Sequence, residues 1–146
     1  MRKFIISSLL VILSFHFLAG FLRWYDIIWC LDIPMHLIGG AWVALFFIHF
    51  FYKTWRVIES KINFLALLLL VLGFVALVGV LWEFYEYLSD VYLLKVHPLN
   101  FAPNPATLPD TMTDLLNDLI GGLAVSFILF PRIKKFKEAA KIQTKI

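Results

Sequence analysis

The sequence is short of charge and nearly free of cysteine. Of its 146 residues, 16% are charged and 62% are hydrophobic, and Cys30 is the only cysteine. A single cysteine excludes a disulfide within the chain and a zinc site built from cysteines. A soluble domain of this length could not bury so much apolar surface, because small domains keep a large surface relative to their volume. The composition therefore predicts a membrane protein whose main partner is the lipid bilayer.

Two common catalytic signatures are also missing. The sequence has no glycine-rich phosphate-binding loop and no serine in a nucleophile elbow with histidine and aspartate partners. It therefore gives no indication of nucleotide-binding or serine-hydrolase chemistry.

Four apolar runs are long enough to cross a membrane as helices, which takes about 20 residues. We predict spans at residues 4–22, 34–52, 63–88 and 111–130. Pro34 suits the first turn of the second span, and Asp110 or Thr111 is a plausible N-cap of the fourth. The first run follows a basic start, as a signal peptide does. It has no clear small-residue cleavage site, so we expect it to be retained.

The predicted fold is an all-α, four-span transmembrane helix bundle that forms one domain over residues 1–146, with a basic tail at 131–146. Eleven Lys and Arg residues lie on the side of the two termini and the 53–62 loop, whereas Arg23 and Lys95 lie on the other side. The positive-inside rule then places both termini in the cytoplasm. This asymmetry explains the net charge of +3, so no nucleic-acid partner is expected.

Eight of the ten carboxylates fall on the opposite, outer side, in or beside the ends of apolar segments. They are Asp26, Asp32, Glu83, Glu86, Asp90, Asp110, Asp114 and Asp118. We expect Asp26 and Asp90 to be solvated loop acids. The other six occur at helical spacing, so that three helices each present an acidic stripe. Since a charge facing lipid costs ~2.5–3.5 kcal/mol near the bilayer centre, the stripes should face one another inside the bundle.

Six carboxylates in one dry pocket would repel each other, and bound cations, shared protons or a water-filled vestibule would relieve the repulsion. Carboxylates with one imidazole suit Mg²⁺, Mn²⁺, Ca²⁺, Fe²⁺ or Zn²⁺. We therefore expect a divalent metal ion. Its candidate ligands are His36, Glu83, Asp114 and Asp118, with Asp110 as a weaker candidate and Glu86 or Asp32 as a general base or a support of the ligands. A purely structural role at the helix ends is the alternative for each of them.

Two further features of the spans bear on this site. Gly39-Gly40 and Gly121-Gly122 follow the acidic stripes and should let the second and fourth helices pack closely. His16 in the first span is expected to bond a neighbouring backbone group, with completion of the site from a fourth helix as the alternative.

Three motifs resemble those of a known family. Asp32-Ile-Pro-Met-His36 with Gly39-Gly40, Trp82-Glu83-Phe-Tyr-Glu86-Tyr, and the block from Asp110-Thr111 to Gly121-Gly122 resemble the YjdF-like family of small bacterial membrane proteins. A looser resemblance links the chain to the VanZ-like family, which is associated with glycopeptide resistance. Glu86 stands where VanZ-like chains tend to have Gln, which favours the YjdF-like assignment. The resemblance covers about residues 25–125 and implies a polar site in a multi-helix bundle of the bacterial plasma membrane, but no particular reaction.

Three functions fit these observations. The first is an outward-facing Asp/Glu/His site that holds a divalent cation and acts on or binds a cell-envelope lipid or glycan intermediate. The second is a proton- or cation-coupled transporter, although the second to fourth helices lack acids in their inner halves. The third is a structural accessory subunit whose acids engage an external partner.

Overall fold

The computed structural model describes residues 2–28, 30–55, 57–58, 62–94 and 107–143. Within these ranges the secondary structure is helical: α1 (Arg2–Phe21), α2 (Trp24–Ile27), α3 (Asp32–Phe47), π1 (Ile48–Thr54), α4 (Phe64–Leu88), π2 (Ser89–Leu94) and α5 (Thr107–Gln143), where π1 and π2 are π-helical. Four described segments are long and apolar enough to cross a membrane: Arg2–Phe21, Asp32–Phe51, Phe64–Leu88 and Leu108–Pro131. The prediction of an all-α protein with four candidate spans is therefore confirmed.

The second span begins two residues earlier than predicted. Asp32 is the first residue of α3, and Pro34 lies in its first turn. A proline is tolerated there because the first N–H groups of a helix have no intrahelical acceptor. Asp32 and His36 are consequently one turn apart on the same helix face. Beyond Phe47 the helix continues as π1, a π-helical segment that the sequence pattern did not indicate.

The third span agrees closely with the prediction for residues 63–88. The side chain of Asn63 accepts a hydrogen bond from the backbone N–H of Ala66 at 2.7 Å. This N-cap satisfies one of the free donors at the start of α4. The helix then runs to Leu88, so that Glu83 and Glu86 lie in its last turns.

The fourth span differs most from the prediction. α5 begins at Thr107, so Asp110 lies inside the first turn, and the predicted cap at Asp110 or Thr111 is wrong. Pro109 is compatible with this earlier start because the first turn requires no N–H donor. At the other end α5 passes through Pro131 and reaches Gln143. The proline removes one hydrogen bond of the helix without ending it.

The central pair of the bundle is α3 with α5, and glycines allow its close approach. A Cβ atom at Gly40 would overlap the backbone carbonyl of Asp118, and one at Gly121 would overlap the carbonyl of Leu37. Side chains larger than hydrogen at these two positions would therefore force the helices apart. The predicted close packing of these two helices is confirmed at one glycine of each pair, Gly40 and Gly121.

The acids and the apolar core occupy opposite ends of the bundle. We call the end at which α3 and α5 begin and α4 finishes the acidic end. Away from it lies a core of buried side chains from α3, π1 and α4: Val43, Ala44, Phe47, Ile48, Leu67, Val71 and Val75. Leu119, Val125 and Leu129 of α5 pack against this core. The apolar cluster thus closes the half of the bundle below the acids.

Candidate functional site

Three helices bring the predicted site residues to one place at the acidic end. α3 contributes Asp32 and His36, α4 contributes Glu83 and Glu86, and α5 contributes Asp110, Asp114 and Asp118. Most of them lie near the ends of their helices, whereas Asp118 lies about three turns into α5. The stripes face one another, since His36 is 4% exposed and Asp114 and Asp118 are also buried.

His36 is the centre of this cluster. Its Nε2 atom lies 3.5 Å from Oδ1 of Asp32 and 3.9 Å from Oδ1 of Asp114. Its Nδ1 atom lies 3.5 Å from Oδ2 of Asp118. The two ring nitrogens therefore face different carboxylates, and the imidazole separates Asp118 from the other acids.

Three overlapping sets of side chains have the spacing of a metal site. Within each set, one ligand atom per residue lies within 4.8 Å of the others, and the sets are Asp32, His36 and Glu86; His36, Glu83 and Asp114; and Asp32, Asp110 and Asp114. Ligand atoms at about 2.0–2.6 Å from a common ion are separated by no more than about 5 Å, so this spacing fits a divalent cation. Six of the seven predicted residues thus belong to at least one set.

Asp118 is the predicted site residue that belongs to none of these three sets. Its carboxylate lies behind the imidazole of His36, in a slot that Gly79 leaves open. A Cβ atom at Gly79 of α4 would lie 2.7 Å from Oδ2 of Asp118, and one at Gly39 of α3 would lie 3.7 Å from Oδ1. A carboxylate in this position would orient the imidazole if His36 bound an ion. Sequence reasoning did not identify Gly79, whose one signal is a glycine inside an apolar span, one turn before Glu83.

Two polar groups near the cluster are incompletely bonded. Oε1 of Glu83 and Nδ2 of Asn117 are buried and form no hydrogen bond within the described part of the chain. Asn117 is 9% exposed and lies between Asp114 and Asp118 on α5. Since buried polar atoms are normally bonded, the orphaned carboxylate oxygen of Glu83 fits a group that takes a cation. Asn117 was not identified from the sequence, because an amide in an amphipathic pattern is an unspecific signal.

His16 takes a different partner from the one predicted. Its Nδ1 atom is hydrogen-bonded to the hydroxyl of Tyr25 at 2.9 Å, not to a backbone group. Its ring also meets the edge of Trp82, with centroids 4.9 Å apart. Burial, together with the nearby charges of Asp32 and Glu86, raises the pKa of Tyr25 to about 12. Tyr25 therefore stays protonated and joins α1 to the acidic end.

The acids outside the cluster behave as the sequence predicts where they are described. Arg23 donates to Asp26 at 2.7 Å, and both side chains are largely exposed. Asp26 is exposed to solvent as predicted, but it lies in the short helix α2 and not in a loop. The side chain of Asp90 and the whole of Lys95 lie outside the described residues.

A cavity of about 270 Å³ adjoins the cluster. His36, Asp32, Glu86 and Asp118 line one end of it, and most of its remaining wall is apolar. The sequence pattern gave no signal of this cavity, because its lining comes from four different helices.

The comparisons with known proteins agree with the membrane character of the fold. A family model described as "predicted membrane protein (DUF2238)" matches residues 1–135. No curated protein and no solved structure matches the chain. With nearly its whole length matched, the chain belongs to the DUF2238 family of predicted membrane proteins.

Proposed function

We propose that this protein binds a divalent cation at the acidic end of the bundle and uses it to bind or act on a cell-envelope lipid or glycan intermediate. The supporting observation is that three overlapping sets of ligand atoms each lie within 4.8 Å, and that His36, Asp32 and Asp114 each belong to two of these sets. Residues from three helices converge on this one volume. Such convergence is how helix bundles build metal sites.

The charge of the cluster favours a cation. Six carboxylates surround one imidazole. Arg23, which precedes these residues in the sequence, forms an ion pair with Asp26 and not with an acid of the cluster. Taking several charges of one sign out of water is costly unless a counter-charge compensates them. A divalent ion would neutralise two carboxylates and satisfy the orphaned oxygen of Glu83.

The ligand chemistry indicates a hard ion. Carboxylate oxygens with few nitrogen ligands suit Mg²⁺, Mn²⁺ or Ca²⁺, and the single imidazole also permits Fe²⁺ or Zn²⁺. Glu83, Asp114 and His36 would bind the ion directly, with Asp110 as an additional oxygen ligand. Asp118 would hold the ring of His36 in place from the other side.

A bound ion would supply the chemistry that the side chains lack. It would polarise a phosphoryl or carbonyl oxygen of the ligand, or lower the pKa of a water molecule. Glu86 and Asp32 form one of the three sets with His36, with ligand atoms within 4.8 Å of one another, and would accept the proton in a catalytic reaction.

The cluster is proposed to face the outside of a bacterial plasma membrane. Eleven of the thirteen Lys and Arg residues lie on the other side, which the positive-inside rule assigns to the cytoplasm. The YjdF-like resemblance of the same motifs supports this location.

Transport is the weaker alternative. A carrier needs a polar route to both sides of the membrane, whereas the half of this bundle below the acids is filled by the apolar core around Phe47 and Val71. The site is therefore proposed to open to one side.

A titration of the purified protein in detergent with Mn²⁺ tests this proposal, with free ion followed by electron paramagnetic resonance. We expect one saturable site, which Asp114→Asn and Glu83→Gln each weaken at least about tenfold. Asp26→Asn is the matched control, because it removes an acid outside the cluster. If the wild-type protein bound none of Mn²⁺, Mg²⁺, Ca²⁺, Fe²⁺ or Zn²⁺, or if Asp26→Asn had the same effect as Asp114→Asn, the cation proposal would be abandoned.

A further inference from the structure

The cavity beside the acids lies between α1, α3 and α4. Leu9, Ile12 and Leu13 of α1 form one wall, and Val75 and Val78 of α4 form part of another. Along α3 its lining extends from Asp32 to Val43. The eleven steps from Asp32 to Val43 correspond to a rise of about 16 Å along the helix. The cavity is therefore long, and it follows the direction of the helices.

Contacts at two levels along the helix axis hold α1 in place beside this cavity. On the side away from the acids, Nε1 of Trp42 donates to the carbonyl oxygen of Ile5 at 3.0 Å and lies 3.1 Å from Oγ of Ser8. On the acidic side, His16 is bonded to Tyr25 and packs on Trp82. Leu9, Ile12 and Leu13, which line the cavity, lie between these two attachments. Specific contacts therefore fix the position of α1 on both sides of the cavity.

The cavity has polar side chains at one end and mostly apolar side chains along the rest of its length. At the acidic end, Asp32, His36 and Glu86 border it, whereas the α1 and α4 walls beyond them are apolar. An apolar chamber offers water few hydrogen bonds, and its volume of about 270 Å³ is many times that needed for one water molecule. Binding sites that are mostly apolar with a few convergent polar groups typically take organic ligands. This division fits an amphiphile with its polar group at the cluster.

We propose that this cavity holds one hydrocarbon chain of a phosphorylated lipid whose phosphate is bound by the cation at the acidic end. This inference rests on the cation site proposed above. Hard ions held by carboxylates commonly complete their coordination with a phosphate of the substrate. The chain would run along α1 from the acidic end towards the middle of the bundle, which is the orientation of a lipid in the leaflet on that side.

The negative charges at the acidic end should make binding of the lipid depend on the cation. Without the cation, the carboxylates of Asp32, Glu86 and Asp118 would repel an anionic head group at short range. Binding of the lipid should therefore require the metal, and the apolar walls should decide how well the chain is held.

The test uses an alkyl phosphate that carries a diazirine in its chain, photo-crosslinked to the purified full-length protein with Mn²⁺ or with EDTA. We expect crosslinking with Mn²⁺ at residues of α1 and α4 that line the cavity, and a loss of at least about tenfold with EDTA. Leu13→Trp, which fills the cavity, should reduce crosslinking to a similar extent. Val78→Phe is a second filling variant, from the α4 side.

Leu10→Trp is the matched control, because Leu10 lies on α1 and is 61% exposed outside the cavity. It should leave crosslinking unchanged, and all three variants should retain Mn²⁺ binding, which shows that the cluster is folded. Wild-type crosslinking in both filling variants would overturn the assignment of the chain to the cavity. Crosslinking that persists in EDTA would overturn the assignment of the phosphate to the cation.

Two further outcomes separate this inference from the function on which it rests. If Mn²⁺ binds but no metal-dependent crosslink forms, the inference fails while the cation site stands. If the wild type binds none of Mn²⁺, Mg²⁺, Ca²⁺, Fe²⁺ and Zn²⁺, both fail. Competition by an unlabelled isoprenyl phosphate or by phosphatidylglycerol would support the inference and identify the source of the chain, whereas competition by neither would contradict it.

Discussion

Nδ1 of His36 lies 3.5 Å from Oδ2 of Asp118, on the side of the ring opposite to Asp32 and Asp114. The carboxylate of Asp118 is buried and fits the space left by Gly79. This contact fixes the orientation of the imidazole and directs Nε2 towards the other acids. The role of Asp118 is thereby distinguished from that of the acids that would bind an ion directly.

Asp118→Asn should lower the affinity for Mn²⁺ without abolishing binding. The amide keeps the size of the side chain but not its charge, so the histidine loses part of its orientation and basicity. Loss of such a partner typically costs about 10–100-fold in metal affinity. Equilibrium titration followed by electron paramagnetic resonance measures the change, and an affinity equal to that of the wild type would show that Asp118 does not support the site.

Gly79→Ala should disturb the same contact from α4. A methyl group there would lie 2.7 Å from Oδ2 of Asp118 and 3.1 Å from Cδ2 of Leu115, so the carboxylate must move. We expect weaker Mn²⁺ binding and a lower melting temperature by scanning fluorimetry. Gly73→Ala is the control on the same helix, since its Cβ would meet nothing within 4 Å. A similar loss of metal affinity in both variants would argue against a specific role for Gly79.

Gly121→Ala should destabilise the bundle as a whole. The new methyl group would overlap the backbone carbonyl of Leu37, and backbone cannot move aside as a flexible side chain can. Overpacking of this kind costs about 1–3 kcal/mol or more. The change can be measured as a fall in the midpoint of unfolding in a denaturing detergent. Gly20→Ala, where the added atom has open space, should leave the midpoint nearly unchanged.

Trp42→Phe should loosen α1 while leaving the acidic cluster intact. The substitution removes the indole N–H that reaches Ile5 and Ser8, but it keeps an aromatic ring against the neighbouring Phe46. Hydrogen–deuterium exchange should then increase in the first half of α1, and Mn²⁺ affinity should stay the same. Unchanged exchange in α1 would show that other contacts hold this helix.

The orientation of the bundle can be tested with its own cysteine. Cys30 is free, exposed and two residues before the start of α3, at the acidic end. A membrane-impermeant maleimide should label it from outside in intact spheroplasts if this end faces outward. In a Cys30→Ser background, Thr54→Cys at the opposite end should be labelled only after the membrane is opened. The reverse pattern would place the acids on the cytoplasmic side.

Much of the site followed from sequence spacing. Asp32 and His36, Glu83 and Glu86, and Asp114 and Asp118 are separated by about one helical turn, which fixes the face that each pair shares. The cost of turning that face to lipid then requires the pairs to meet inside the bundle. Their convergence on His36 is what the structure shows. The sequence does not locate the start of α5, because Asp110 and Thr111 suit an N-cap while Pro109 is equally compatible with a helix that has already begun.

The sequence by itself determined that the chain belongs in a lipid bilayer, how many candidate spans it has and on which helix face each acid lies. Hydropathy and helical period are properties of single segments, so they can be read from the sequence. Only the tertiary structure decided that Asp118 lies behind His36, that Gly79 makes room for it, and that α1 stands away from α3 and α4 to leave a cavity. These features depend on how neighbouring helices are rotated and shifted against each other. Side-chain packing sets those rotations and shifts, and no periodicity within one helix records them.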